Sequence, residues 1–353
     1  MSKWWGPAAA VVAVLIIGFL IWRANAPGDQ NGTATVRSNG ETVQLAEGAA
    51  LENPTPARRY RIGVLLPFVA APFWVNEAYG VLDQAEQLGV DVVWLSADGY
   101  DNIDRQNSQI EDLVSQGVDA ILIAATSNTG TVPAVDRAVA SGVPVFAHVT
   151  SSATASVTAA VLDDDLAIGR RQAEFMGRAL GGRGQVAMLS GPAAADWSAR
   201  RAQGFKEVMA AQFPGIEIVA ERNGIPDRAD AQRLTEDLLV TFPNLAGIFT
   251  VADGMAMGAA DATIAARRIN RVTITTASFS RETVPYIRSG YIDVNVDENP
   301  VLMGRVSINT VVRALNGEVV PSVIYVPSPS ITRDNVDSVN AETQWAPEDW
   351  RLE

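Results

Sequence analysis

The chain has 353 residues, of which 48% are hydrophobic and 19% are charged, and its formal net charge is −13. Nucleic acid and anionic lipid surfaces repel an acidic chain, so neither is predicted as a partner. The chain contains no cysteine, which excludes disulfides, thiolate metal sites and cysteine nucleophiles, and its length favours two domains over one.

Residues 1–26 are predicted to be an export segment. Lys3 precedes an apolar run from Gly6 to Trp22, and Ala24 to Ala26 have the small-x-small form of a peptidase site. As a helix the apolar run would cover about 25 Å, which is marginal for crossing a bilayer. Because Pro27 would follow the cut, an uncleaved inner-membrane anchor is slightly favoured over a cleaved signal. Either way we expect a periplasmic protein whose membrane contact is made through this segment only.

Residues 27–58 are predicted to be a flexible linker. They are rich in Gly, Asn, Thr, Pro and Glu and show no sustained periodicity. The folded part is therefore expected to begin near residue 59.

A regular alternation of strands and helices begins after the linker. Residues 62–67 form a continuous apolar run, which is typical of a strand covered on both faces, and residues 73–88 have apolar positions at helical spacing before Gly89. The same pattern predicts strands at 91–99, 119–125 and 143–149, with helices at 103–116 and 132–141 between them. Strands separated by helices of this length pair in parallel through right-handed crossovers.

A second array of the same kind follows residues 150–160, which are small and polar and are predicted to cross between domains. Its predicted strands are 157–162, 185–191, 216–221, 246–251, 272–277, 291–297 and 321–327, and its predicted helices are 166–180, 198–212, 229–240, 254–267, 281–289 and 303–315. The predicted fold is α/β, with two doubly wound parallel-sheet lobes. Residues 328–353 show no periodicity and are expected to form an irregular tail along the surface.

The strand-to-helix turns are where function is predicted, because ligands of such sheets bind outside the carboxyl ends of the strands. The candidate ligand-binding residues at these turns are Phe73, Trp74, Tyr100, Asn128, Asp165, Trp197, Phe279 and Asp297. Their aromatic rings could form walls that suit sugar faces or alkylated ammonium groups. Asp165 and the two aspartates before it could cap a helix, bind a metal or neutralise a cation, and helix capping is the default interpretation.

Catalysis is not predicted. Neither a G-x-x-x-x-G-K-[ST] loop nor an early G-x-G-x-x-G turn is present, which disfavours nucleotide cofactors. The one histidine, His148, ends an apolar strand and is interpreted as a strand-end side chain with satisfied hydrogen bonds, since no nucleophile elbow accompanies it. We therefore expect no enzyme activity, no cofactor and no metal.

Four segments resemble the type I periplasmic binding proteins: the Pro-Phe-Trp turn at 72–74, DAILIAATSN at 119–128, SARRAQGF at 198–205 and VDENPVLMGRVSINTVV at 296–312. The resemblance covers about residues 59–327. It implies two similar lobes, joined by three crossover strands, that close around a small-molecule solute. It also implies a first lobe of 59–149 plus 272–291 and a second lobe of 150–271 plus 297–327.

Residues 97–122 are similar to a branch of this family that detects trimethylamine N-oxide and signals through the periplasmic domain of a membrane sensor histidine kinase. The similarity implies an aromatic cage, in which Trp74, Tyr100, Phe279 and Asp165 would take part. The chain also departs from the ribose-type sugar binders at Ala71, Val149 and Ala199. The main expectation is thus a sensor of a methylated amine or amine oxide, and the alternative is a sugar receptor that delivers its solute to an ABC permease.

Overall fold

A computed structural model describes residues 36–192 and 195–352. In chain order the strands are β1 (Arg37–Ser38), β2 (Thr42–Gln44), β3 (Arg61–Leu66), β4 (Asp91–Ser96), β5 (Ala120–Ile123), β6 (Val145–Val149), β7 (Ala159–Leu162), β8 (Arg183–Leu189), β9 (Gly215–Arg222), β10 (Leu245–Thr250), β11 (Thr273–Ala277), β12 (Val294–Val296), β13 (Val319–Val320), β14 (Val323–Tyr325) and β15 (Ser330–Ile331). The α-helices are α1 (Pro72–Leu88), α2 (Ile103–Ser115), α3 (Val132–Ala140), α4 (Asp165–Ala179), α5 (Asp196–Gln212), α6 (Arg228–Thr241), α7 (Asp253–Ala265), α8 (Val284–Ser289), α9 (Pro300–Leu315) and α10 (Ala341–Gln344).

Two large sheets organise most of these elements, and β1 and β13 form a separate two-stranded sheet. The first has the strand order β2-β14-β7-β6-β5-β3-β4 and is parallel throughout. The second has the order β15-β12-β11-β10-β8-β9 and is parallel except for the edge strand β15. We call the first sheet with α1, α2, α3 and α9 the first lobe, and the second sheet with α4 to α8 the second lobe. The predicted α/β class with two parallel-sheet lobes is confirmed.

The chain passes between the lobes at three places. The first crossover, residues 163–164, joins β7 to α4; the second, residues 297–299, joins β12 to α9; and the third, residues 326–329, joins β14 to β15. The predicted crossover at 150–160 is wrong, because residues 150–158 connect β6 to β7, which are neighbours in the first sheet. Small polar residues mark that loop, but the lobe boundary is set by which strands pair.

The predicted lobe membership of two segments is also wrong. Residues 272–291 carry β11 and α8, and β11 pairs between β10 and β12 in the second sheet. Most of residues 297–327, with α9 and β14, belongs to the first lobe, where α9 packs on α1 and β14 pairs with β7. Both sheets are built from similar apolar runs, so the periodicity of a strand does not indicate which sheet it joins.

Part of the predicted linker is folded. Residues 42–44 form β2 and pair in parallel with β14 at the edge of the first sheet, and residues 37–38 pair with β13. The prediction that the folded part begins near residue 59 is therefore wrong. The predicted export segment, residues 1–26, lies outside the described residues. Within 36–192 and 195–352, no helix is both long and apolar enough to cross a bilayer.

Glycines let α1 and α9 pack backbone to backbone. A Cβ atom added at Gly80 would lie 2.2 Å from the carbonyl oxygen of Val301, and one added at Gly304 would lie 2.6 Å from that of Glu77. Both distances are far below van der Waals contact. The close approach fixes α9 against α1 and thereby holds the second crossover, which leads directly into α9, to the first lobe.

A Gly80→Ala variant should therefore be destabilised. The two helices would have to separate, and overpacking of this kind costs about 1–3 kcal/mol. The better helix propensity of alanine acts in the opposite direction by roughly 1 kcal/mol. Urea unfolding followed by circular dichroism would measure the change, with Glu86→Ala, at an exposed position of α1, as the control. A Gly80→Ala protein as stable as the control variant would show that the helices can separate freely.

Candidate functional site

The carboxyl ends of the strands carry most of the strained backbone in the described residues. Five residues other than glycine have positive φ, and four of them lie at strand ends or crossovers: Asp98, Val149, Ser278 and Asn299. Val149 has φ of 60°, which is a true outlier for a β-branched side chain. Such conformations cluster at ligand sites, where the surrounding structure enforces them. The strain thus points to the region between the lobes.

The first lobe contributes a group of aromatic rings to this region, which we call the aromatic wall: Phe68, Phe73, Trp74 and Tyr100. The ring of Phe68 lies 5.5 Å from that of Tyr100 and 6.2 Å from that of Trp74, and Phe73 meets Trp74 edge-on at 5.2 Å. Trp74 is buried within the wall, whereas Tyr100 keeps 36% of its surface exposed. Tyr100 is therefore the member of the wall that is most available to a solute.

The second lobe and the second crossover contribute an ionic group, which we call the arginine cluster: Arg201, Asp165, Glu298 and Trp197. Arg201 is buried on α5 and donates from Nε to Asp165 Oδ1 at 2.8 Å, from Nη2 to Glu298 and from Nη1 to the carbonyl of Val251 at 2.9 Å. Its guanidinium lies 5.1 Å from the ring centre of Trp197. Glu298 also accepts from the hydroxyl of Ser278. The cluster thus ties the second crossover to the second lobe.

Further carboxyl groups surround the arginine cluster. Burial raises the pKa of Asp165 to about 6, with Arg201 acting in the opposite direction, and burial raises that of Asp253 to about 6. Asp163 has a pKa well above its ordinary value because of burial and the nearby Glu298. Its Oδ1 atom is buried and has no hydrogen-bond partner in the described structure. A solute that donates a hydrogen bond or carries positive charge would stabilise these groups.

The aromatic wall and the arginine cluster face each other. Burial raises the pKa of Tyr100, and two groups across the interlobe space also act on it, Glu298 raising it and Arg201 lowering it. Tyr100 is thus crowded by protein although a third of its surface is accessible, which describes a side chain lining a cleft rather than one packed in a core. The cleft has an aromatic side on the first lobe and a carboxyl-rich side on the second lobe and its crossovers.

The structure brings five of the eight candidate residues to this cleft in two groups. Phe73, Trp74 and Tyr100 lie in the aromatic wall, and Asp165 and Trp197 lie in the arginine cluster. The two groups come from different lobes, as the strand-end argument predicts. Whether each of the five touches a solute stays a prediction.

The other three candidates lie elsewhere. Asp297 is fully buried in the second crossover, where it accepts from the backbone amides of Glu298 at 2.7 Å and Asn299 at 3.1 Å. Phe279 is buried beneath Trp345 of the tail, with the two rings 5.2 Å apart. Asn128 is half-buried in the turn after β5, where its carbonyl accepts from the amide of Ala153.

Sequence reasoning missed Arg201 and Glu298. Arg201 lies in the SARRAQGF segment and Glu298 in the VDEN segment, both of which carry the family resemblance, but neither was given a role. Charged residues in short polar segments are more often exposed than buried. Only the tertiary contacts show that Arg201 and Glu298 are 3% and 4% exposed and paired with each other.

His148 lies beneath the cleft and not in it. Its side chain is fully buried at the end of β6, and its Nδ1 atom is 2.8 Å from Oε1 of Glu77, which is also fully buried on α1. The interpretation of a strand-end histidine with satisfied hydrogen bonds is wrong, because neither ring nitrogen makes a hydrogen bond within the described residues, although Nδ1 lies close to Glu77. A histidine enclosed in this way cannot reach a solute in the cleft. Among the described residues, no group of His, Asp or Glu side chains is arranged to hold a metal ion.

A cavity of about 620 Å³ lies outside the cleft, between α1, α9 and the tail. Its charged lining includes Arg305, which is paired with Asp83 at 2.9 Å, and Arg281, which stacks on Trp345 at 4.7 Å. Both guanidinium groups are already bound by protein. The interlobe cleft, with its accessible Tyr100 and its partnerless Asp163 oxygen, is the better candidate for the functional site.

Comparison with known proteins indicates the family. A family model described as "Periplasmic binding protein domain" matches residues 62–318. The chain is 27% identical over 286 residues to the ribose import binding protein RbsB of Bacillus subtilis (strain 168), which covers 81% of this chain and 92% of the relative. It is 25% identical over 302 residues to the periplasmic protein TorT of Escherichia coli (strain K12), with 84% and 85% covered.

Among solved structures, the substrate-binding protein of a sugar ABC transport system from Bordetella parapertussis 12822 is similar to most of the described fold. The two have a TM-score of 0.79 and 26% sequence identity, over 86% of this chain and 98% of that protein.

Proposed function

Because the chain belongs to the periplasmic binding protein family, we propose that it is a solute receptor that closes its two lobes around a small molecule. The observation that carries the proposal is the position of Tyr100, an accessible aromatic of the first lobe within electrostatic reach of Glu298 and Arg201. A solute in this cleft would contact both lobes only when they are closed. It would therefore shift the population towards the closed form by its differential affinity.

The solute class that has the most support is a sugar or polyol, delivered to an ABC permease. Two of the similar proteins are named for ribose import and for sugar transport. Carboxylates accept bonds from hydroxyls, and Asp163 has an oxygen without a partner. Aromatic surfaces cover the apolar faces of sugar rings. We therefore propose a sugar receptor of an ABC importer as the first candidate function, ahead of the expected sensor of a methylated amine.

The methylated-amine sensor is the second candidate. It is favoured by the composition of the cleft, where Asp165 and Glu298 pair with Arg201 and the further carboxyl groups of Asp163 and Asp253 lie near Glu298. Such a site attracts a cation, by charge and by the negative faces of the rings. The similarity to TorT, at 25% identity, points the same way. The partner in this case would be a sensor histidine kinase.

Both candidates place the protein outside the cytoplasmic membrane, exported by residues 1–26. Both are binding functions and neither requires a cofactor. The solute-contacting groups proposed are hydroxyl, carboxyl and aromatic side chains, which bind and orient a solute without a placed nucleophile.

Isothermal titration calorimetry on residues 34–353 tests the proposal. Pentoses, hexoses, linear polyols, trimethylamine N-oxide and choline would be titrated in parallel. Tyr100→Ala should weaken binding about tenfold, which corresponds to about 1.4 kcal/mol, a size expected for one lost aromatic contact. Tyr291→Ala is the matched control, because Tyr291 is 37% exposed but lies before the amino end of β12 and not at the carboxyl end of a strand.

The outcome decides between the candidates. Saturable binding of a sugar or polyol that Tyr100→Ala weakens would support the importer receptor. A response to trimethylamine N-oxide or choline alone would favour the sensor. A solute that binds the Tyr100→Ala protein as tightly as the parent would place the site away from the cleft.

A further inference from the structure

The C-terminal tail does not simply lie along the surface, as the sequence suggested. After the third crossover it adds β15 to the second sheet and forms α10, and its last residues contact both lobes. We call residues 341–352 the C-terminal strap. Three sets of contacts hold it, one to the second crossover, one to the second lobe and one to the first lobe.

The contact with the second crossover is made by Gln344. Its side chain is 1% exposed, and its Nε2 atom donates to the side-chain oxygens of Asp297 and Asn299. Both acceptors flank Glu298, which carries the arginine cluster into the crossover. Asn299 has φ of 47°, a conformation that needs support from its surroundings. The side-chain amide of Gln344 thus stabilises the second crossover next to the cleft.

The contact with the second lobe is made by Trp345. Its ring lies 5.2 Å from that of Phe279, and its Nε1 atom donates to the carbonyl of Phe279 at 3.3 Å. The guanidinium of Arg281 lies 4.7 Å from the centre of the Trp345 ring. Trp345 therefore contacts two residues that follow β11.

The contact with the first lobe begins one residue later. The backbone amide of Ala346 donates to Oδ1 of Asn76 on α1 at 2.9 Å. Further along, the ring of Trp350 meets that of Tyr79 at 5.5 Å, and Trp350 and Leu352 pack on the apolar cluster that includes Trp74. The end of the strap thus supports the aromatic wall from behind.

Ala346 is a single residue that contacts both lobes. Its amide binds Asn76 of the first lobe, and its carbonyl accepts from Arg281 Nη2 of the second lobe at 3.0 Å. Consecutive Cα atoms are only about 3.8 Å apart, so the chain has no slack between the anchors on the two lobes. Opening the cleft on this side must therefore break the contacts on one lobe or the other.

We propose that the C-terminal strap positions the two halves of the binding site, holding the lobes close to the closed arrangement before any solute arrives. Gln344, Trp345 and Trp350 are positioning residues, which act on the cleft through the second crossover, Phe279 and Trp74. The strap raises the population of the binding-competent form of the protein. Loss of the strap should therefore raise the apparent Kd for the solute in proportion to the fall in that population. The proposal rests on the proposed function only in treating the cleft as the binding site.

The distance between the lobes can be measured directly, because the chain has no native cysteine. Ser108→Cys on α2 and Ala229→Cys on α6, both exposed and close to isosteric, would carry spin labels on the two lobes. Double electron–electron resonance on the full chain without solute should give a narrow distribution. In a chain truncated after Asn340, and in Arg281→Ala with Trp350→Ala, the distribution should broaden and shift to longer distances.

Arg288→Ala is the matched control, because Arg288 binds Asp337 of the tail within the second lobe and not across the lobes. It should leave the distance distribution unchanged. Far-UV circular dichroism and cooperative unfolding establish that each variant is folded, and the point variants remain decisive if the truncated chain does not fold. An unchanged distribution in the folded strap variants would overturn the proposal. Because no solute is used, this result is independent of which solute binds.

Discussion

An Arg201→Leu variant is expected to lose about 3–5 kcal/mol of unfolding free energy at pH 8, the cost of breaking a buried ion pair from one side. The side chains of Arg201 and Glu298 are 3% and 5% exposed and that of Asp165 is 12% exposed, so water cannot replace the missing guanidinium. Two carboxyl groups would be left without their counter-charge. The carbonyl of Val251 would lose its donor as well.

Urea unfolding at pH 8 and at pH 5 measures this effect. At pH 5 the loss should be smaller, because the orphaned carboxyl groups can take up protons and become neutral. Arg200→Leu is the control, since Arg200 is the neighbouring residue on α5 and is only half-buried. It should change the stability by less than about 1 kcal/mol. An Arg201→Leu protein that is as stable as the Arg200→Leu protein would contradict the structural role of the cluster.

The order of the elements between residues 61 and 325 could be predicted from the sequence because each carries its own local signal. The strand β3 is an apolar run, and α1 ends at Gly89 in the left-handed conformation that glycine favours. The candidate residues Trp74 and Tyr100 could be predicted for a related reason. They lie close to the strand-to-helix turns after β3 and β4, and parallel strands bring their carboxyl ends to one edge.

Which lobe β11 and α9 belong to could not be predicted in the same way. It depends on contacts between residues far apart in the chain, such as the approach of Gly304 to Glu77. A glycine in a helix is a weak signal until its neighbour is known. The apolar pattern of α9 would fit either lobe.

The arginine cluster and the strap depend on burial, which local periodicity does not encode. Gln344 lies in a four-residue helix with no apolar pattern, and its partners are 45 and 47 residues away in sequence. Trp345 and Trp350 are large aromatic residues, but a tail without periodicity does not indicate which surface they pack against. Their role follows from where the third crossover ends, which is a property of the fold.

The second large effect concerns pH: the protein should become less stable as the pH rises from about 5 to 8. Burial raises the pKa of Asp297 to about 7, and it raises those of Asp165 and Asp253 to about 6, from an ordinary value of 3.8. The folded state therefore holds protons that the unfolded state releases. The stabilisation is complete below about pH 4 and is lost as the pH passes through 6 to 7.

For Asp297 alone the shift from 3.8 to about 7 corresponds to roughly 4 kcal/mol, at about 1.4 kcal/mol per unit. Carboxyl groups held by surface ion pairs, such as Asp91 and Glu207, have lowered pKa values and act below this range, so they do not mask the trend.

Chemical denaturation at intervals between pH 5 and 8 measures the slope, and Asp297→Asn tests its origin. The asparagine keeps an oxygen for the amides of Glu298 and Asn299 but cannot ionise, so the slope should flatten in this variant. Asp334→Asn, at an exposed position of the tail, should leave the slope unchanged. A parent protein that gains stability with rising pH, or a slope that survives Asp297→Asn, would mean that Asp297 is ionised in the folded hinge. In that case Gln344 would bind a carboxylate, and the contact between strap and crossover would strengthen as the pH rises.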